Sequence, residues 1–73
     1  MVTMLRLELQ RRGITASKLS HSSGINYPIL CAIVRGDWRA SPKFREAITN
    51  ALGTDDSTIF FGQNGFAKEV ELV

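Results

Sequence analysis

Four glycines, Gly13, Gly24, Gly36 and Gly53, stand 11, 12 and 17 residues apart. Each follows a stretch with helical spacing. A glycine just past the last periodic residue ends a helix, because it takes up the left-handed conformation that turns the chain back. A chain cut at these intervals makes short helices that must bury their apolar sides on one another. Its 73 residues amount to one small domain, burying about 60% of the surface that the unfolded chain exposes. With 44% hydrophobic and 22% charged residues, the composition is globular rather than disordered.

Within the first segment Leu5 and Leu9 lie four apart, and Glu8 and Arg12 share that spacing as an ion pair. Leu7 falls off this stripe and, with Val2, reads as a small exposed patch. Thr15 is placed to cap a second helix whose buried side is led by Leu19, with Ile14 as an apolar staple before the cap. Asn26 reads as the next N-cap, with Pro28 in the first turn and Leu30, Ile33 and Val34 as the buried stripe. Ser41-Pro42 is the clearest helix start, followed by Phe44, Ala47, Ile48, Ala51 and Leu52 at three- and four-residue steps. Asp55 or Asp56 is placed to cap a fifth helix over Asp56 to Phe61, with Ile59 and Phe60 turned inward. No segment shows sustained strand alternation with hairpin turns. The expectation is an all-α, compact five-helix domain over residues 1–61. Residues 62–73 read as a C-terminal tail in which Val70–Leu72 alternate like a strand, while Phe66 and Val70 keep helical spacing. That tail is either flexible or an apolar arm for a second protomer.

The chain has one cysteine, Cys31, and one histidine, His21. These exclude a disulfide framework and a cysteine-based zinc site. No nucleophile–base pair, phosphate-cradling glycine loop or metal-ligand spacing is present, so the expectation is a protein that is not an enzyme and takes no cofactor or metal. No apolar run nears the roughly 18 residues of a membrane span, and the N-terminus lacks an apolar signal core. A soluble, cytoplasmic module is expected. Net charge is only +2, but it is uneven. Residues 1–50 hold eight Lys/Arg against three acids, and residues 51–73 hold Lys68 against four acids. A basic body with an acidic end suits a polyanion partner, though an ordinary solvated surface gives the same count.

The informative stretch is Thr15 to Arg35, two short helices around the Ser22-Ser23-Gly24-Ile25 connection. Leu19, Ile25, Leu30 and Ile33 are spaced to tie the pair into one rigid unit. That is the helix-turn-helix pattern, which presents its second helix to the DNA major groove.

At these residues the chain resembles the lambda-repressor-like helix-turn-helix family, the Cro/repressor or Xre-type regulators. The matching elements are Arg12-Gly13-Ile14-Thr15, Leu19, Gly24-Ile25-Asn26, Leu30, Ile33 and Arg35-Gly36. Ser41-Pro42, Ala51-Leu52-Gly53 and Ile59-Phe60 extend the resemblance over residues 3–61. Trp38 and the Ala-Leu-Gly ending are also similar to the phage Ner-type regulators. The resemblance implies a five-helix domain of bacterial or phage origin that binds operator DNA as a homodimer and regulates transcription, typically as a repressor. It implies that Asn26, Tyr27, Pro28 and Ala32 face base edges. Thr15, Ala16, Ser17 and Lys18, at the start of the second helix, lie near phosphates, as does the loop with Arg35, Asp37, Trp38 and Arg39. Lys43, at the start of the fourth helix, adds a phosphate contact helped by the positive helix end. Dimer contacts fall to Ile59, Phe60 and Phe61 or to Phe66, Val70 and Leu72 in the tail.

The chain departs from this family twice. Ala16 stands where a glutamine often clamps the DNA backbone, and the reading positions are Tyr27, Pro28, Ile29, Cys31 and Ala32. Only Asn26 and the Tyr27 hydroxyl can hydrogen-bond a base there, which leaves thymine-methyl contact, shape, or Arg35 and Arg39 from the flank. An alternative reading is therefore a protein-interaction module that kept the scaffold and lost base readout. Trp38 reads either as a lid over the core edge or as a contact to the DNA backbone.

Overall fold

The first helix begins on a threonine with two roles. The Thr3 hydroxyl accepts the Arg6 N–H at 3.1 Å, capping the helix, and donates to the Val34 carbonyl across the core. That bonding explains how a polar side chain can be only 1% exposed. In the computed structural model, which describes residues 2–54 and 56–70, the order is β1 (Val2–Thr3), α1 (Met4–Arg12), α2 (Ala16–Ser23), α3 (Tyr27–Arg35) and α4 (Pro42–Ala51). A 3₁₀ turn (Ser57–Ile59) and β2 (Glu69–Val70) follow. The molecule is thus mostly helical with a small two-stranded sheet.

Thr15 caps α2 through the Lys18 N–H at 3.1 Å, and Ser41 caps α4 through the Phe44 N–H at 3.2 Å. Asn26 occupies the N-cap position of α3, yet its side chain makes no capping hydrogen bond. The cap would serve the second or third helical N–H, and the second residue is Pro28, which has none. Gly13, Gly24 and Gly36 all end their helices with positive φ.

The core takes Leu5 and Leu9 from α1, Leu19 from α2, Ile25 from the turn, and Leu30, Ile33 and Val34 from α3. Ile48, Leu52, Phe60, Phe61 and Ala67 complete it. Each buried leucine or isoleucine contributes about 1.5–3 kcal/mol relative to exposure. Polar ties close the rim. Arg12 donates to the Leu52 carbonyl at 2.6 Å, and Arg45 donates to the Ala40 carbonyl at 3.1 Å. Leu7 and Val2 are half-buried rather than an open patch.

Three expectations change. The fifth helix is a single 3₁₀ turn, so the described residues form four α-helices and not five. Asp56 caps it by accepting from the Thr58 hydroxyl and, at 3.0 Å, from the Thr58 N–H, and these two bonds hold the Asp56 carboxyl below its usual range. Beyond it Phe60 and Phe61 are both buried, which one face of a short helix cannot achieve, and the chain opens into a bridge between Phe61 and Ala67. Ile59 accordingly turns outward, 44% exposed.

Residues 62–70 are not a free tail. β2 pairs antiparallel with β1, Val2 opposite Val70 and Thr3 opposite Glu69. The Lys68 carbonyl accepts the Met4 N–H, and the Lys68 N–H donates to the Phe60 carbonyl, each at 2.8 Å. Nor are Phe60 and Phe61 available to a second protomer, because both lie in their own core. Ile59 and Phe66 are exposed. Leu72 and the capping alternative Asp55 lie outside the described residues.

Candidate nucleic-acid interface

The α2–α3 pair is locked by side chains as well as by packing. Gly24, at φ +74°, ends α2 with its N–H on the Ser20 carbonyl at 3.0 Å. The Ser20 hydroxyl then donates to the Ile25 carbonyl, and the Ser23 hydroxyl donates to the Leu19 carbonyl at 2.7 Å. The backbone of the three-residue turn is therefore fastened to α2, and the direction of α3 is set. Sequence reading missed Ser20 in this role. Its signal was a serine placed one turn before a helix-ending glycine.

On α3 the buried stripe Leu30, Ile33 and Val34 occupies one side. At 100° per residue the opposite side carries Pro28, Ala32 and Arg35, flanked by Tyr27 and Cys31. Asn26, Tyr27, Pro28 and Arg35 are exposed, Tyr27 by 52%, and Ala32 is half-buried. The Cys31 thiol one turn on raises the Tyr27 hydroxyl above its usual range, and like any tyrosine it is a neutral donor at pH 7. Thr15, Ser17 and Lys18 are exposed at the start of α2. Capping uses Thr15 as an acceptor only, which leaves its O–H proton to donate outward. Ala16 is half-buried and has no such group.

The loop after α3 folds back onto the helix. The Ala32 carbonyl accepts from the Asp37 N–H at 2.9 Å and the Trp38 N–H at 3.3 Å. This brings Trp38 beside Pro28, Ile29 and Ala32, and with Asp37 they line a shallow groove of about 390 Å³. Trp38 is 52% exposed, so it walls this groove rather than sealing the core. Ile29, one of the expected reading positions, packs partly on the core and lines the groove.

The basic residues divide by what holds them. Glu8 accepts from both Arg11 and Arg12, and those bonds hold its carboxyl down to about 2. Arg12 and Arg45 are also tied to backbone carbonyls. Arg35 pairs with Asp37 at 3.0 Å. Arg6, Lys18, Arg39 and Lys43 form no ion pair among the described residues. Arg39 is exposed but has its stem against Gly65, and neither Lys18 nor Lys43 lines the groove.

No family model, curated protein or solved structure matches this chain. Among the described residues no helix is long and apolar enough to cross a membrane, and no three His, Cys, Asp or Glu side chains gather to hold a metal ion.

Proposed function

We propose that this chain is a cytoplasmic DNA-binding transcriptional regulator of the lambda-repressor-like helix-turn-helix type, acting on operator DNA. In this reading α3 enters the major groove with Asn26, Tyr27, Pro28 and Ala32 toward the bases. Thr15, Ser17, Lys18, Arg35, Trp38, Arg39 and Lys43 meet the flanking backbone. The observation that carries it is the pairing of a locked α2–α3 turn with an α3 whose Tyr27, Pro28 and Arg35 are exposed on its outer side. A small reader gains affinity as a homodimer on half-sites about 34 Å apart, with Ile59, Phe66 and Val70 as candidate contacts.

Titration of labelled duplex across a salt series tests the reading. Affinity falls steeply with salt, and Lys43→Ala and Arg39→Ala each lower the log–log slope by about one. Binding that is absent, or indifferent to salt, rejects it. The groove beside Trp38 favours a second reading, a module that docks an apolar protein segment there. In that case a protein partner, and not duplex DNA, perturbs Tyr27 and Ala32.

A further inference from the structure

The outer side of α3 is chemically one-sided. Between Tyr27 and Val34 it presents no Lys, Arg or Gln, and Arg35, at the end of the helix, forms an exposed ion pair with Asp37. Guanine is read through O6 and N7 by such donors, so Tyr27–Val34 has no guanine-reading group of that kind. What it offers is hydrocarbon. Pro28, Ile29, Ala32 and the Trp38 indole form the groove walls, and Asp37 is its one charged member.

Among the four bases only thymine carries an apolar group in the major groove, its C5-methyl. We infer that the groove between α3 and Trp38 holds the C5-methyl of a thymine in duplex DNA, an inference that rests on the DNA-binding reading above. Two further features of the molecule agree with that occupant. The backbone hydrogen bonds from Asp37 and Trp38 to the Ala32 carbonyl hold the loop against the helix end, and the groove is present without a ligand. Asn26, two residues before Pro28, has an amide without a capping bond. An amide presents the donor and acceptor that match adenine N6 and N7. Specificity then concentrates on A·T pairs, with thymine read by its methyl and adenine by Asn26.

The test uses a duplex selected by the protein from a random-sequence pool, resynthesised with deoxyuridine in place of each thymine in turn. Deoxyuridine keeps every hydrogen bond and removes only the methyl. One buried methyl corresponds to about a fourfold change in affinity. The expected result is a loss of about that size at one thymine per half-site. Trp38→Ala, at an exposed position, and Ala32→Ser, at a half-buried one, are expected to bind thymine and deoxyuridine duplexes equally. Equal affinity of the unaltered protein for both duplexes at every position overturns the inference and leaves DNA binding intact. A pool that yields no bound duplex overturns both.

Discussion

Gly65 shows how much one residue can carry. It has φ +87°, a conformation that side-chain-bearing residues adopt only at a cost. A Cβ there would also lie 2.7 Å from an Arg45 nitrogen and 2.8 Å from the Arg39 Cγ. Its carbonyl accepts the Ala40 N–H at 2.9 Å. Gly65→Ala is expected to lower stability by about 1–3 kcal/mol, read as a fall in the thermal midpoint. Hydrogen exchange at the Ala40 amide should quicken beyond that global change. An unchanged midpoint would mean that the two arginines yield freely.

Asp37 matters for charge. It is the acid nearest the proposed reading surface and it occupies Arg35. Asp37→Asn removes a repulsive charge and releases the guanidinium. Duplex affinity at low salt should rise about two- to fivefold, as expected for one exposed charge interaction, and the gain should shrink as salt is added. A weaker complex would give Asp37 a direct part in binding.

Among the elements, α1 carries the clearest pH response. Glu8 titrates near 2 in the folded chain against 4.5 for its ordinary value. Its pairs with Arg11 and Arg12 therefore stabilise fully above pH 4.5, and that contribution disappears as pH falls toward 2. The difference in thermal midpoint between the unaltered chain and Glu8→Gln should be present at pH 6 and vanish near pH 2. A difference independent of pH would indicate packing rather than charge.

The four helices were legible because their signals are local. Thr15, Ser41-Pro42 and the glycines mark ends within a few residues, and the i,i+4 stripes mark faces. β1 and β2 were not, since Val2 meets Val70 from the other end of the sequence and two-residue strands have no periodicity of their own. Distance along the chain also hid the job of Gly65, whose carbonyl holds Ala40. Of the candidate site, its residues were legible one by one as polar or basic positions on the two helices. The groove was not, because the fold of residues 36–38 back onto Ala32 is what creates it.

At the scale of the molecule, β1 and β2 close a belt under the loop that carries Trp38 and Arg39. Gly36 lies against Thr3 and Glu69, and Ala40 is held by Gly65. Helices and belt together brace both sides of the proposed reading surface. The account stands on α3 seating its outer side on DNA bases. Backbone amide shifts of the labelled protein, followed while a selected duplex is added at physiological salt, test this most directly. The account predicts that the largest changes gather at Asn26–Ala32, with smaller ones at Thr15–Lys18 and Arg35–Arg39. Changes confined to other surfaces, with Tyr27 and Ala32 unmoved at saturation, would contradict it.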